Sequence, residues 1–339
     1  MQRELPASWR AWVWRGGASP LDLVLERVTR PAIAPGEVLV RNAVIGLNPV
    51  DWKVLGDEQL DWQPGHVPGV DGAGTVVAIG DGVPHDLLGQ RVAYHQSLHR
   101  HGSFAEYTSI RAEVLLRVPA NMDFAVAASF PCPALTAFQA IEKLPPGRGR
   151  TLLISGAGGA VGRYLVQLAV ARGFAVTAMC NRRHWERLLA LGVDECIEGP
   201  LGDGQAWPVN DPKRFFAIID SVDADHAARL APALLANGHL VCIQGRVAQW
   251  PCAPFGRALS MHEVALGALH VYGDSAAWNA LTQAGEQMLG EIAAGQLQAE
   301  PGIVGDFEGL AEQLDALRQR RFSGKPLVAV EPIRHTGPV

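Results

Sequence analysis

The sequence has few cysteines, no block of basic residues and no proline-free apolar run of membrane-spanning length. Its five cysteines are scattered among 339 residues without a C-x-x-C pair, which is typical of reduced cytosolic thiols rather than of disulfides or structural zinc. The net charge of −5 argues against nucleic acid, whose binding depends on phosphate neutralisation. The first residues lack the apolar segment of a signal peptide. We expect a cytoplasmic protein with neither a membrane nor a nucleic-acid partner.

What the sequence does contain is a strand, glycine turn and helix at residues 151–162. The short apolar run 151–154 is typical of a buried parallel strand, and helical periodicity begins at residue 160. Compared with G-x-G-x-x-G, this is an alanine variant. Small residues here let a pyrophosphate approach the backbone N–H groups at the start of the helix. The predicted coenzyme contacts are Ser155, Gly156, Ala157, Gly158, Gly159, Ala160, Val161 and Gly162.

A second strand, at residues 175–179, predicts which coenzyme is bound. Sites for NAD usually place a carboxylate about 20 residues after the glycines, where it holds the ribose 2′-hydroxyl. Here the chain has Asn181, Arg182 and Arg183 instead. Two guanidinium groups suit a 2′-phosphate, whereas basic residues are otherwise disfavoured in a first helical turn. The alternative is a solvated helix start. We predict NADP(H).

Strands and helices alternate from residue 151 onward, whereas the first third has short strands and turns. The later strands are predicted at 193–197, 215–220, 239–244 and 264–271, with helices at 183–191 and 226–236. Such alternation predicts an α/β fold with a doubly wound parallel sheet of the Rossmann type. A last strand at 326–330 lies outside this series, so we expect the tail to rejoin the first domain. The predicted domains are a β-rich catalytic and substrate domain, 1–133 with 272–339, and a dinucleotide-binding domain, 134–271.

Several motifs occur together in a characteristic order along nearly the whole chain. They are GLNPVD at 46–51, PGVDGAGTV at 68–76, GQRV at 89–92, GSFAEY at 102–107, PALTAFQA at 133–140, the glycine turn, and SGKPLV at 323–328. With these motifs the chain resembles the zinc-free medium-chain dehydrogenases/reductases of the NADPH:quinone oxidoreductase, zeta-crystallin-like group. The resemblance implies a GroES-like catalytic domain beside the Rossmann domain, and a homodimer joined through the Rossmann sheets. It also implies hydride transfer from NADPH to quinones or other conjugated carbonyls.

The resemblance also allows a check on metal binding. Zinc-dependent relatives carry Cys where Asn48 stands and Gly-His-Glu where residues 69–71 read Gly-Val-Asp. Without soft or imidazole ligands a catalytic zinc has nothing to bind, and a conjugated substrate needs less polarisation than a simple ketone. The neighbouring His95, His99 and His101 lack a Cys or carboxylate to complete a site, so we read them as a solvated loop. We expect no metal.

For catalysis, the resemblance places Asn48 and Asp51 beside nicotinamide and substrate. The amide of Asn48 can donate a hydrogen bond to a developing enolate or quinol oxygen, although it cannot supply a net proton. Turn formation by Asn48 and helix capping by Asp51 are equally good readings. The proton source stays open between Lys53 or solvent and His95 or Tyr94.

The remaining predicted site residues come from motif matches and from positions at strand ends. By resemblance, Thr136 contacts the nicotinamide region and Lys325 reaches toward the adenosine phosphate, with a polar residue before the last strand as the alternative for Lys325. Gly245 and Arg246 follow the fifth strand at its carboxyl end, where Rossmann ligands bind. The apolar substrate pocket is expected to include Trp52, Trp62, Tyr94, His95 and Phe255.

Two other functions compete with that of a quinone or enone reductase. The chain could bind NADPH as a redox sensor or structural protein with little turnover. It could also be a zinc-dependent alcohol dehydrogenase with unusual ligands. A relative that reduces enoyl thioesters would carry Tyr shortly after the Asn-Pro motif, and residues 52–63 contain none.

Overall fold

The computed structural model describes residues 5–321 and 324–330 and divides into two compact units. The first comprises Met1–Cys132 with Gly267–Val339, and the second Pro133–Leu266. Residues 267–271, which the sequence analysis assigns to the dinucleotide-binding domain, belong here to the first unit. The predicted boundaries at 133 and 271 therefore differ from this division by one and five residues.

The described helices and strands follow the chain in three groups. Up to residue 132 they are β1 Ser8–Val13, β2 Val24–Thr29, β3 Glu37–Gly46, α1 Pro49–Lys53, β4 Asp71–Ile79, β5 Arg91–His95, β6 Tyr107–Arg111, β7 Leu115–Arg117 and α2 Phe124–Ser129. The next are α3 Pro131–Glu142, β8 Thr151–Ser155, α4 Ala160–Ala171, β9 Ala175–Cys180, α5 Trp185–Leu189, β10 Glu195–Glu198, β11 Phe215–Asp220, α6 Ala224–Leu230, β12 Leu234–Cys242 and β13 Ser260–Glu263. The last are α7 Leu269–Tyr272, α8 Ser275–Ala293, β14 Gly302–Asp306, α9 Leu310–Arg318 and β15 Lys325–Ala329.

The second unit is built on a sheet whose described strands are all parallel, in the order β10-β9-β8-β11-β12-β13. In order of appearance this is 3-2-1-4-5-6, the Rossmann arrangement, which confirms the predicted doubly wound sheet. All six residues of β11 are buried, as expected for a central parallel strand covered on both faces. The chain order reverses between β8 and β11, which is where ligands bind in such sheets.

Two predicted elements of the second unit are wrong in position. The strand expected at 264–271 lies earlier, as β13, and short helical segments at 266–268 and α7 follow it. A short apolar run does not distinguish strand from helix, and this run was read as strand. The helix expected at 226–236 ends at Leu230, because Pro232 lies in a tight turn before β12.

The first unit is β-rich. Its larger described sheet has the order β14-β15-β3-β4-β5-β7, with β6 paired to β3, and β1 pairs with β2 separately. Strand β15 pairs antiparallel with β3, which confirms that the tail rejoins the first domain. Among the described residues, no helix combines the length and the apolar character that crossing a membrane requires.

Candidate coenzyme and catalytic sites

The glycine turn between β8 and α4 is closely packed, so side chains are excluded at two of its positions. A Cβ at Gly162 would lie 2.5 Å from the Cα and carbonyl oxygen of Ala157, which are backbone atoms and cannot move aside. A Cβ at Gly158 would lie 2.3 Å from the imidazole of His184. Gly156 has φ +67°, a conformation that favours glycine. This bare turn at the start of α4 suits a pyrophosphate.

Basic side chains border the turn on the side of β9. Arg187 donates a hydrogen bond to the carbonyl oxygen of Gly158, and Arg183 Nε donates to His184 Nε2 over 3.1 Å. The side chain of Asn181 accepts from the N–H of Arg183 at 3.1 Å, and it thereby caps the short turn that presents these residues. The predicted residues 181–183 therefore stand beside the predicted turn, together with His184 and Arg187, which the sequence analysis missed.

Arg182 has a carboxylate partner that the sequence analysis did not find. Its Nε and Nη2 lie 3.1 and 3.0 Å from Glu198 Oε2, and its guanidinium lies 5.3 Å from the ring centre of Trp185. Both members of the ion pair are more than half exposed, so the pair itself adds little stability. Glu198 ends β10, the strand next to β9 in the sheet, so sheet order brings it to Arg182.

The hydroxyl of Ser155 belongs to a buried network at the ends of β8 and β11. It donates to Asp220 Oδ2, and His226 Nδ1 lies 2.6 Å from the same oxygen. His226 Nε2 accepts the backbone N–H of Leu201 at 3.0 Å, so His226 carries its proton on Nδ1. All three side chains are buried. Asp220 and His226 went unrecognised, although a carboxylate at the carboxyl end of a predicted central strand was a usable signal.

The other predicted coenzyme residues of the second unit differ in their surroundings. Thr136 is buried on α3. Gly245 follows β12 with φ +125°, and Arg246 is largely exposed, with Glu263 3.9 Å away. Phe255, predicted to line the substrate pocket, is fully exposed in the loop before β13.

A second cluster lies in the first unit around Asn48. Its Nδ2 donates to Asp71 Oδ2 at 2.9 Å, and its Oδ1 accepts from Lys325 Nζ. Lys325 Nζ is also 3.6 Å from Asp71 Oδ2. The backbone N–H of Cys132 completes the contacts of Asp71 at 3.0 and 3.1 Å. Sequence analysis placed Lys325 with the coenzyme phosphate, whereas its side chain is only 3% exposed and its ammonium group donates to Asn48.

Asp51 adds a further carboxylate to this cluster and acts as a cap. Its Oδ2 accepts the N–H of Asn48 at 2.7 Å, and its Oδ1 accepts the N–H of Val70 at 3.1 Å. These bonds fix the start of α1 against the segment leading into β4. They correspond to the capping reading of Asp51, and Asn48 is likewise oriented by Asp71 and Lys325.

Burial controls the ionisation of the two carboxyl groups. It raises the pKa of Asp51 to about 7, helped by the nearby charge of Asp71 and opposed by the hydrogen bond from Asn48. Burial likewise raises the pKa of Asp71 to about 6, although Lys325 and the hydrogen bond from Asn48 lower it. Asp51 is thus partly protonated near neutral pH, whereas Asp71 is mostly ionised and paired with Lys325.

Around this cluster the predicted proton donors and pocket residues separate. Lys53 is exposed near the ring of Trp52, and partial burial and the charge of Arg320 lower its pKa. Trp62 is half-buried, donates to the carbonyl of Leu98 at 2.7 Å and stacks on a histidine ring. Lys53 therefore lies at the surface of α1, whereas Trp52 is partly buried against the core of the first unit.

Tyr94 and His95 do not share a pocket, although both were predicted to line it. Successive residues of a strand point to opposite faces, and Tyr94 is completely buried with its hydroxyl donating to Asn42 Oδ1 at 2.7 Å. His95 instead faces the side of Asp71, its partner in the β4–β5 register. Tyr94 is therefore a core residue of the opposite face.

Metal ligands do not cluster in the part of the chain that the structure describes. Over residues 5–321 and 324–330, no three or more His, Cys, Asp or Glu side chains come close enough to hold a metal ion. His95, His99 and His101 are thus not joined into a site.

Comparison with known proteins gives the family. Residues 34–120 match the alcohol dehydrogenase GroES-like domain. Over 248 residues the chain is 32% identical to the chloroplast envelope quinone oxidoreductase homolog of Arabidopsis thaliana, covering 70% of this chain and 75% of that protein. The chain belongs to the medium-chain dehydrogenase/reductase superfamily, in its quinone oxidoreductase group. This membership confirms the resemblance to the quinone oxidoreductases and the predicted GroES-like domain.

Other members of the superfamily agree with this assignment. An NADPH-dependent alkenal/one oxidoreductase of Arabidopsis thaliana is 32% identical over 257 residues, 72% of this chain and 64% of that protein. A crystal structure of an alcohol dehydrogenase superfamily protein from Novosphingobium aromaticivorans superimposes with a TM-score of 0.82 at 24% identity, covering 95% of this chain and all of that one. The structural match supports the fold alone.

Proposed function

We propose that this protein is an NADPH-dependent oxidoreductase that transfers hydride to quinones or other conjugated carbonyls without a metal. The observation that carries the proposal is the bare glycine turn at the start of α4, bordered by Arg183, His184 and Arg187. A turn without side chains admits a pyrophosphate, and the adjoining cations suit a coenzyme with an extra phosphate. The superfamily relatives, named for quinone and alkenal/one reduction, support the substrate class.

The preference for NADPH over NADH rests on charge. Arg182 and Arg183 lie in the turn that follows β9, where a carboxylate would favour the 2′-hydroxyl of NADH. Glu198 orients Arg182 through Nε and Nη2, which leaves Nη1 available to a phosphate. Under this proposal, the 2′-phosphate is held by Arg182 and Arg183.

In the reaction, the bound coenzyme supplies a hydride from its nicotinamide ring. The residues of the chain position the substrate and provide a proton. Hydrogen bonds with Asp71 and Lys325 hold the side-chain amide of Asn48 in one orientation before the substrate binds. Asn48 and Val70 stand where zinc-dependent relatives carry metal ligands, so a metal is not expected to polarise the substrate here. A conjugated acceptor needs less polarisation, because it spreads the negative charge that follows hydride addition.

We also propose a cytoplasmic homodimer. Strand β13 is the last strand of the Rossmann sheet and has a free edge in the described part of the chain, and Trp250 and Phe255 before it are exposed. Edge strands with apolar neighbours are suited to pairing with a second copy. None of the five cysteines, all of which lie in the described part of the chain, forms a disulfide, which fits a reducing compartment. Light scattering of the purified protein tests the dimer.

The function is tested by following NADPH oxidation with phenanthrenequinone, an alkenal and an aliphatic ketone, with and without a chelator. We expect turnover with the quinone and the alkenal, little with the ketone, and no effect of the chelator. Loss of activity on chelation would favour a zinc-dependent alcohol dehydrogenase. Tight NADPH binding without turnover would favour the redox sensor.

A further inference from the structure

Two histidines of the first unit form a hydrogen-bonded pair. His95 ends β5 and His270 lies in α7, with His95 Nδ1 3.3 Å from His270 Nε2 and the rings stacked 5.5 Å apart. His95 is 5% exposed, whereas His270 is half-buried and packs against the ring of Trp278. One imidazole therefore lies inside the unit and the other nearer its surface.

The inner imidazole stands next to the cluster around Asn48. Asp71 and His95 are directly opposite in the antiparallel pair of β4 and β5. Side chains of such residues project from the same face with Cβ atoms about 5 Å apart. Asp71 is hydrogen-bonded to Asn48, and Lys325 is near enough for its charge to act on His95. His95 thus borders the cluster that the proposed function assigns to substrate.

The outer imidazole lines a cavity of about 380 Å³. Ser97, Arg100 and Arg111 also line it. Each arginine also has a carboxylate partner, since Arg100 pairs with Glu37 and Arg111 lies 3.0 Å from Glu113. A cavity of this size has room for several water molecules, each of which occupies about 30 Å³ in the liquid, and these side chains offer them hydrogen-bond partners. Water can therefore reach His270.

We propose that His270 and His95 relay a proton from this cavity to the substrate oxygen that becomes negatively charged after hydride transfer. The inference rests on the proposed function. His95 Nε2 gives its proton to that oxygen as His95 Nδ1 takes the proton of His270 Nε2. A water molecule in the cavity protonates His270 Nδ1, and the resulting hydroxide is neutralised by solvent. Each hydride transferred is matched by one proton from solvent, and both imidazoles end neutral in their other tautomer. After the product leaves, water that enters the substrate site returns a proton to His95 Nε2, and the relay runs in reverse toward the cavity, which restores both starting tautomers for the next turnover.

The electrostatic surroundings favour this exchange between neutral rings. Burial, His270 and Lys325 lower the pKa of His95 to about 3. Burial and Arg111 lower the pKa of His270 to about 4, with smaller effects of Arg100 and His99. Neither ring is therefore charged between pH 6 and 8, and a concerted relay needs no imidazolium. We expect a relay rate that does not vary with pH across this range.

Two substitutions of His270 separate relay from support. In His270→Gln the amide can keep the hydrogen bond to His95 but cannot pass a proton through itself. In His270→Ala the side chain is removed, which leaves space for free imidazole. The matched control is His239→Gln, because His239 and His262 form a pair of the same geometry in the second unit, 3.2 Å between nitrogens and 5.5 Å between centroids. Turnover with a quinone is measured in H₂O and D₂O, beside NADPH affinity by fluorescence.

We expect kcat of both His270 variants to fall by about 100-fold, which is the lower end of the range for a positioned acid–base group. The solvent isotope effect on kcat should become larger, and the affinity for NADPH should stay unchanged. Added imidazole should restore His270→Ala, and His239→Gln should behave as wild type. A His270→Gln variant with wild-type kcat and isotope effect overturns the relay. So does a folded His270→Ala variant that is slow but not rescued.

A measurement on the coenzyme-free wild-type protein tests the hydrogen bond between the two imidazoles without any variant. Imidazole ¹⁵N spectra of the wild-type protein should show a shared N–H between His95 and His270. Independent, unbonded rings would overturn the relay while leaving the reductase intact. Absence of NADPH oxidation by the wild-type protein would overturn the proposed function itself.

Discussion

Replacing Lys325 with Met should destabilise the first unit by an amount that grows with pH. Lys325 is 3% exposed and is the cation beside the buried carboxyl group of Asp71, 3.6 Å away. Met keeps the length and apolar stem of the side chain but removes its charge and its hydrogen bond to Asn48. The carboxylate of Asp71 is then buried with hydrogen bonds but without its adjacent positive charge.

The size of the effect follows from burial and linkage. Removing one partner of a buried ion pair typically costs about 3–5 kcal/mol, which we expect at pH 8. Lys325 lowers the pKa of Asp71, so its loss raises that pKa above the present value of about 6. A carboxyl group whose pKa is raised by folding binds more protons in the folded state than in the unfolded state. The stability that this proton binding contributes is lost as pH rises toward the pKa of the folded state. The destabilisation should therefore shrink by about 2–3 kcal/mol between pH 8 and pH 6, at about 1.4 kcal/mol per pH unit.

The assay is urea unfolding followed by tryptophan fluorescence at pH 6, 7 and 8. Six of the nine tryptophans belong to the first unit, so the signal mainly reports that unit. Lys143→Met serves as the control, because Lys143 is exposed, and a surface change of this kind costs at most about 0.5 kcal/mol. The double variant with Asp71→Asn should recover part of the loss. Equal destabilisation at every pH, or additive effects of the two substitutions, would refute the reasoning.

Three further predictions concern the carboxyl groups and the coenzyme turn. Burial raises the pKa of Asp51 to about 7, so the free energy of unfolding of the wild type should fall as pH rises from 5 to 7. Asp51→Asn should make the pH dependence of that free energy shallower, by an amount that corresponds to about one proton. An unchanged pH dependence would contradict this prediction. Gly162→Ala should abolish NADPH binding or soluble expression, because the added Cβ meets the backbone of Ala157. The control Gly290→Ala has open space around it in α8 and should raise the melting temperature. Equal behaviour of the two variants would contradict the packing argument. Arg182→Ala should weaken NADPH binding about tenfold, or ~1.4 kcal/mol, and should leave NADH binding unchanged. Fluorescence titration measures both affinities. Equal losses of affinity for the two coenzymes would contradict a contact between Arg182 and the 2′-phosphate.

The parts of the fold that the sequence predicted are those with a local signal. Strand β11 matches its predicted residues because an apolar run bounded by polar residues marks a buried strand wherever it occurs. The turn between β8 and α4 is marked by its glycines, which have a steric cause at Gly162. The strand expected at 264–271 failed because its run of small and apolar residues is compatible with helix as well.

The site was less predictable because its contacts are long-range. Lys325 and Asn48 are 277 positions apart, and only the pairing of β15 with β3 brings them together. Glu198 reaches Arg182 because β10 and β9 are neighbours in the sheet, and Asp220 reaches His226 at the start of α6. A motif names the residue type at a position, but the partner of its side chain is decided by the sheet order.

The cluster around Asn48 also explains why an amide is suited to this position. Lys325 can only donate hydrogen bonds and the ionised carboxyl group of Asp71 can only accept them, so a side chain that contacts both must offer an acceptor and a donor. Asn48 does so through Oδ1 and Nδ2. A thiolate or carboxylate here would leave Asp71 facing a second acceptor, with Lys325 as the one adjacent cation in the described part of the cluster. The residue that replaces the zinc ligand of other superfamily members is thus also the residue that satisfies its buried neighbours, and the two roles constrain Asn48 together.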